Sequence, residues 1–580
     1  MKRSAAVESL VVADFGRGSS RAYLVEQVAG AFRFVAKAEA PTTAEAPFEN
    51  VGVGWQDLLR QLEWDAGRRL TEREELLFPQ QARGDGVDAF MICSSLGEPL
   101  RVALIEATAN PVSAAISDAL KRTHSRVFHL AALAGRKDGS FAPVQVEALR
   151  AFRPEYVVLS LDHNQPAVLA RQLVIARQLG STESVGKAVV IGEAPTVNQA
   201  VNSFGSRSKV RVVTPSTSTP VRIAAEIEQE LSDLYRASLD THDFAAIARD
   251  APDGVVIRAQ AVDLVNRFIA RAFDRRVITI ACDDGSHVHW ANANQGLFSS
   301  LQYLDLGVGI SGLTSHEVAD AARWLPFATT DEELMTWVLN RAARPWTVPT
   351  DTRDLRIEQA MARQIARRAL AEVARNQPLA LAKTNLVIGG QAFARWNQQG
   401  SAALALLDSV DVVPDQGVID LALDQDGLMA IAGTVGLKHP DLASELFEYD
   451  GLSHLGSAVV IGGQTHEGDR ACRGEIQYES GETTAFSVGS GSIEVLPLRP
   501  GETASLILRP ERRFSVGGYP SGKPVTLSDD RRIIGGAVGV IVDARGRALG
   551  AGQTPQRHAK VKQWIDAVNG VVASSVRRTA

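Results

Sequence analysis

The sequence predicts an α/β protein of two related halves, followed by a C-terminal all-β region. Three observations carry this reading. Short apolar strands alternate with helical stretches through the first 450 residues, which argues for buried, largely parallel sheets. An Asp-x-Gly turn between strands opens each half, at Asp14-Phe15-Gly16 and again at Asp283-Asp284-Gly285. After about residue 452, Gly, Thr and β-branched residues dominate.

In chain order, strands are expected at about 10–14, 21–26 and 31–37, ahead of a loop at Pro41-Thr42-Thr43. The apolar runs Ala89-Phe90-Met91-Ile92, Tyr156-Val157-Val158-Leu159 and Ala188-Val189-Val190-Ile191 read as further strands of the same α/β domain. Residues 205–219 form a break rich in Ser, Thr and Pro. Thr219-Pro220 then opens a helix, with Thr as N-cap and Pro at the first helical position. Ile223, Ile227, Leu231 and Leu234 give it one apolar face. A helix around 259–273 leads into the strand Val277-Ile278-Thr279-Ile280.

That strand ends in Cys282-Asp283-Asp284-Gly285-Ser286, and the strand His287-Val288-His289-Trp290 follows at once, with a third near 299–305. The repeated order of strand, Asp-x-Gly turn, strand, strand is that of a diverged internal duplication. A long helix at 355–375 follows, whose Arg363, Arg367 and Arg368 read as a solvated face. Next comes Leu386-Val387-Ile388-Gly389-Gly390-Gln391, a strand ending in two glycines. Strands at 474–478, 484–488, 493–498, 505–508 and 533–542 make up the last region. The breaks divide the chain into 9–205, a helical connection at 206–274, 275–452, a β domain at 453–553 and a polar helical tail at 554–580.

Composition narrows the class. With 45% hydrophobic and 22% charged residues, the chain has the make-up of a globular protein. A net charge of −6 offers no basic excess to hold a polyanion, so no nucleic-acid partner is expected. Three widely spaced cysteines, Cys93, Cys282 and Cys472, fit a reducing cytosol and form no zinc spacing. No apolar run approaches the roughly 20 residues of a membrane span, and none near the N-terminus is long enough for a signal peptide. A cytoplasmic protein without a membrane partner is the expectation.

The turn Asp14-Phe15-Gly16-Arg17-Gly18-Ser19-Ser20-Arg21 carries the strongest chemical signal. Gly-rich turns between strands direct successive N–H groups toward one point, which suits a phosphate. Ser19 and Ser20 add hydroxyl donors, Arg17 and Arg21 add charge, and Asp14 is placed to hold a hydrated magnesium ion. The alternative is an ordinary hairpin turn with a solvated Asp. At Gly389-Gly390 backbone is able to approach a flat ring closely; a helix-start turn needing Gly for packing explains the pair equally well. His287 and His289 share one face of a strand but lack a third ligand, which favours a core or surface role over a metal site. Trp55, Trp64, Trp290 and Trp346 are expected to be packing anchors.

Two halves opened by Asp-x-Gly hairpins, with a later Gly-Gly turn, resemble the sugar kinase, heat-shock chaperone and actin superfamily. Within it the chain is similar to the MutL accessory proteins of cobalamin-dependent glutamate mutase, which are unrelated to mismatch repair. The resemblance rests on Ala13-Asp14-Phe15-Gly16, Ser94-Ser95, Arg153-Pro154 before Tyr156, and Val387-Ile388-Gly389-Gly390, in that order, over residues 9–450. It implies two actin-like (ribonuclease H-like) domains around a cleft that binds ATP with Mg. It also implies a protein partner, a cobalamin-dependent mutase, and allows self-association. Carried over by position, Asp14 and Asp283 would hold the metal, with Asp283 as the catalytic acid. Gly16, Arg17, Gly18, Ser19, Ser20, Arg21, Gly285 and Ser286 would hold phosphate, and Gly389 and Gly390 adenosine.

The departures are specific. Relatives carry a Gly-Gly-Thr-Asp-Gly-Gly type turn where this chain has Ser160-Leu161-Asp162-His163-Asn164-Gln165. The second phosphate turn has lost most of its glycines and threonines. Two adjacent acids beside a polyphosphate repel it by roughly 4 kcal/mol per charge pair at an intermediate dielectric, unless a cation intervenes. At most weak ATPase activity follows. Three functions stay open: an ATP-binding reactivating protein, a nucleotide-independent scaffold on the same fold, and a small-molecule kinase.

Overall fold

The computed structural model describes residues 7–44, 46–106, 111–120, 123–131, 142–162, 165–181, 185–193, 196–204, 208–214, 219–239, 242–283, 285–293, 296–528, 531–550 and 554–570. The chain divides into two compact units, Met1–Ser94 with Asp250–Ala580, and Ser95–Arg249.

In the first unit, the fully buried strand Ser9–Phe15 is the centre of a sheet. It runs antiparallel to Ser19–Val28, which pairs antiparallel with Ala31–Pro41. On its other side it runs parallel to Ala89–Ser94, followed by Val255–Ile257. The second half repeats this order and these directions. Arg276–Ala281 is antiparallel to Ser286–Asn292, which pairs antiparallel with Gly296–Gln302, while Leu386–Gly389 and Val418–Leu423 follow in parallel on the other side. Ten strands in the same two successions give the duplication read in the sequence a topological basis. Helices Arg258–Ala272 and Leu428–Gly436 share a core with Leu10, Val12 and Tyr23 of one sheet and Val277, Leu386 and Ile388 of the other. The helices touch at Gly433, where a Cβ would lie 2.0 Å from the Ala261 carbonyl oxygen, so only glycine fits.

The second sheet continues beyond residue 452. Ser453–Gly462 pairs antiparallel with Val418–Leu423 and parallel with Val540–Asp543, which in turn pairs with Ile493–Leu496. The composition shift therefore marks a more β-rich region, and the hydrogen-bonded sheet runs straight across it. A separate sheet built on Arg470–Tyr478, Thr483–Gly489 and Thr503–Pro510 closes a second core with Val459, Ile461 and Val542. The last helix, Pro555–Val568, buries Val561, Trp564, Ile565 and Val568 in the core that also holds Leu404 and Ile365.

The second unit holds an all-parallel sheet in the order Lys209–Val213, Lys187–Ile191, Tyr156–Ser160, Leu100–Glu106, Ser125–Ala131. This is a doubly wound order. Val157, Leu159 and Val190 enter one core, and Tyr156, Val158 and Val189 another. Burial on both faces explains the unbroken apolar runs. The strands at 156 and 188, expected beside the one at 89, thus belong to a different sheet; an apolar run marks a strand but not its partner. Helix Pro220–Ser238 starts as expected, with the Thr219 hydroxyl accepting the Arg222 N–H at 3.3 Å.

Two further expectations need correction. Arg363 and Arg367 do not lie on a solvated face: Arg363 is buried against Asp408, and Arg367 reaches Asp411. Arg368 is the one of the three that stays largely exposed. Trp55 and Trp290 are buried, but Trp64 and Trp346 are 86% and 65% exposed and anchor no core. His287 and His289 are both buried, and His289 bonds Ser299 at 3.0 Å and faces Asp263 at 3.4 Å. Asp284 and His163 lie outside the described residues. Among the described residues, no helix is long and apolar enough to cross a membrane.

Candidate functional site

The site grows from strand register. Asp14, Arg21 and Glu39 stand opposite one another across three antiparallel strands, and opposed residues share a face. Arg21 consequently reaches Asp14 at 3.7 Å on one side and Glu39 at 3.3 Å on the other. Burial pushes the Arg21 guanidinium down, but Glu39, Tyr23 and Asp14 outweigh it and hold it above the usual arginine range. Two residues along the same face, Lys37 lies over the Tyr23 ring and 3.7 Å from Asp426. The Tyr23 hydroxyl donates to the Asp426 carbonyl at 2.6 Å.

The hairpin turn is held by the Gly16 N–H donating to Ser19 O at 3.1 Å. Thr42 braces it from outside. Its hydroxyl donates to Gly16 O at 2.7 Å and lies 2.8 Å from Ser20 Oγ. Ser20 is thereby buried in the fold, while Arg17, Gly18 and Ser19 line a cleft of about 530 Å³. That volume lies within the range of small-molecule sites. Arg21, Lys37, Asp283, Trp346, Gln391 and Arg395 line the same cleft, so turns some 270 residues apart in sequence meet there. Its four cationic side chains face four acidic ones.

Behind the cleft lies the residue that sequence reasoning missed. Arg258, the first residue of helix Arg258–Ala272, is 5% exposed. Its Nε donates to Asp14 Oδ1 at 2.7 Å, its Nη2 lies 2.7 Å from the same oxygen, and its Nη1 is 4.0 Å from Asp283 Oδ2. Arg258 therefore bridges the two carboxylates expected to hold a metal. Among the described residues, no group of three or more His, Cys, Asp or Glu side chains is arranged to hold a metal ion. Among the described residues, Arg258 and not an open cation site stands between Asp14 and Asp283.

The second turn is closed from within. Buried Asp305 accepts the N–H groups of Gly285 at 3.0 Å, Gly307 at 2.7 Å and Gly309 at 3.0 Å. Gly285, with φ +81°, is fixed by that bond, and the Ser286 side chain lies outside what is described. Gly389 and Gly390 are packing positions. A Cβ on Gly390 would come 3.0 Å from Ala281 Cβ, and one on Gly389 3.0 Å from Leu423. The next residue, Gln391, is the one that lines the cleft. Buried Asp424, at the end of Val418–Leu423, is pushed up to about 7, first by burial, against the Met429 and Leu428 N–H groups, with Asp283 adding to the rise.

A protein-family model described as MutL protein matches residues 10–181. No curated protein matches. Among solved structures, the chain is similar to a ROK family glucokinase from Streptomyces griseus, in complex with glucose and AMPPNP. Identity is 10%, covering 69% of this chain and 87% of that one, with a TM-score of 0.25. A carbohydrate kinase from Novosphingobium aromaticivorans gives 12% identity, coverage of 78% and 94%, and a TM-score of 0.29. A diol dehydratase-reactivating factor in nucleotide-free form gives 12% identity, coverage of 66% and 91%, and a TM-score of 0.24.

Proposed function

We propose that this chain is a nucleotide-binding accessory protein of a cobalamin-dependent enzyme, with at most weak ATPase activity. The observation that carries the reading is the cleft at the Arg17–Ser19 turn, with Arg21 held between Asp14 and Glu39 on its wall. The Arg17–Ser19 turn, Arg21 and Glu39 lie in the stretch that matches the MutL model, and the order of motifs supports the same family.

In this reading Arg17, Ser19 and Arg21 meet the phosphates, and exposed Trp346 with Arg395 offers a face for the base. Hydrolysis is slow because the Gly285 N–H is committed to Asp305 and does not face a terminal phosphate. ATP binding, measured by calorimetry on the full chain, should weaken at least about tenfold in Arg21→Met, a loss of about 1.4 kcal/mol. The purified chain should also restore turnover to an inactivated cobalamin-dependent glutamate mutase in the presence of ATP. Unchanged ATP affinity in the variant removes the site; ATP binding without restored turnover removes the partner.

A scaffold that binds no nucleotide is the second reading. It is favoured by the commitment of the Ser20 hydroxyl, the Gly285 N–H and the Asp14 carboxylate to partners inside the fold. Absence of any ATP heat would support it.

A further inference from the structure

We propose that Arg258 occupies the place of a divalent cation between Asp14 and Asp283, so that this site takes its anionic ligand without a metal. The inference deepens the nucleotide reading above, because it fixes the form of ligand that the cleft accepts.

A hydrated divalent ion beside Asp14 needs at least one carboxylate oxygen free to accept its water. Asp14 Oδ1 accepts the Arg258 Nε–H at 2.7 Å with Nη2 in ionic contact at 2.7 Å, and Oδ2 faces Arg21 at 3.7 Å. The Cys93 thiol also lies 3.3 Å from Oδ1. Oδ1 is thus occupied, and a dication approaching Oδ2 would meet the Arg21 and Arg258 guanidinium groups. The Asp14 and Arg258 side chains are 4% and 6% exposed, so water screens their attraction little. Displacing the guanidinium would strand a buried cation, which is costly even when the incoming ion carries more charge. Arg258 also faces Asp283 at 4.0 Å, so one fixed cation sits between the two acids that would otherwise repel a polyphosphate. A metal brings charge with the ligand; here the charge belongs to the fold. Arg258 begins a helix packed in the core between the sheets, which holds the guanidinium in place.

The test has two arms on the full-length protein. In the first, free manganese is followed by electron paramagnetic resonance without nucleotide. The wild type should show no site that depends on Asp14. Arg258→Met, which keeps the stem and removes the charge, should gain one site, and the double variant Asp14→Asn, Arg258→Met should lose it. Circular dichroism checks that both variants fold, and Arg258→Lys, which keeps a cation, should gain none. In the second arm, calorimetry compares ATP affinity in chelator and in excess magnesium, which should agree within about twofold. Manganese bound by the wild type and lost in Asp14→Asn overturns the inference, as does a folded Arg258→Met that binds none. A rise in ATP affinity of about tenfold or more with magnesium also overturns it. If ATP gives no heat in either buffer, the nucleotide reading fails, and the manganese arm alone decides the role of Arg258.

Discussion

Removing the Asp408 carboxylate should loosen the attachment of the C-terminal segment. Asp408 lies on helix Gln399–Val410. Its Oδ2 accepts Arg363 Nε at 2.9 Å, from helix Thr352–Asn376, and its Oδ1 lies 2.8 Å from Arg545 Nη1. Arg545 continues to Asp543 at 2.8 Å and stacks over Trp564 of the last helix, 4.9 Å from the ring centroid. None of the Arg363, Asp408, Arg545 and Asp543 side chains is more than 4% exposed. Burial pulls Arg363 below the usual arginine range, and Asp408 is the partner that opposes the pull.

Breaking a buried pair by removing one partner costs about 3–5 kcal/mol, since the remaining charge is stranded. Asp408→Ala strands the Arg363 guanidinium and removes one of the two acids that hold Arg545, so a cost within that range is expected. Asp408→Asn keeps an acceptor oxygen without the charge and should cost about 2 kcal/mol. Urea denaturation gives the size. Hydrogen exchange gives the place, with protection lost first at Gln399–Val410 and Val540–Asp543. A loss below about 1 kcal/mol in Asp408→Ala, the range of an exposed pair, would refute the reasoning.

Two further outcomes are expected. Asp424 is raised to about 7, so the folded protein binds a proton at pH values where the unfolded chain has released it. Its contribution is most favourable below about pH 4, the unfolded carboxyl value, and is lost as pH rises through 7. Asp424→Asn should therefore raise the melting temperature at pH 8 and gain progressively less toward pH 4; an equal gain at both values would exclude the shift. Gly390→Ala brings a methyl group 3.0 Å from Ala281 Cβ and should cost about 1–3 kcal/mol of stability. A melting curve that matches the wild type would mean that the strand end gives way freely.

What was legible in the sequence was local. Thr219-Pro220 announced a helix because a cap and a fixed φ act within one turn. Asp14 and Arg21 lie seven residues apart around a short turn, so hairpin register alone brings them together. Arg258 reaches the same carboxylate from 244 residues away, and its sequence setting, Val-Val-Ile-Arg at a helix start, reads like any strand-to-helix junction. Arg363 misled for a related reason. A helix rich in arginine reads as solvated, and only tertiary packing supplies Asp408 as a buried partner. The apolar runs at 156 and 188 read as strands, but an unbroken apolar run is equally at home in any doubly covered parallel sheet.

The two halves repeat a topology and differ in how their turns are closed. In the first, register stacks Asp14, Arg21 and Glu39 across a sheet face, and the turn residues Arg17 to Ser19 line the cleft. In the second, Asp305 gathers three backbone N–H groups inward, including that of Gly285. A carboxylate with three such bonds serves its own loop and leaves fewer donors for an incoming anion. The repeated topology places a turn at the same point of each half. The first has cationic side chains at the cleft and the second is closed by its own acid. Under the nucleotide reading, the phosphates rest on the first half, while the second supplies Trp346, Gln391 and Arg395 to the rest of the ligand. That division of labour requires Arg21→Met to weaken ATP and inorganic tripolyphosphate alike, and Trp346→Ala to weaken ATP alone. Calorimetry with the two ligands separates these outcomes. Equal loss of tripolyphosphate in both variants would mean that the halves share the phosphates after all.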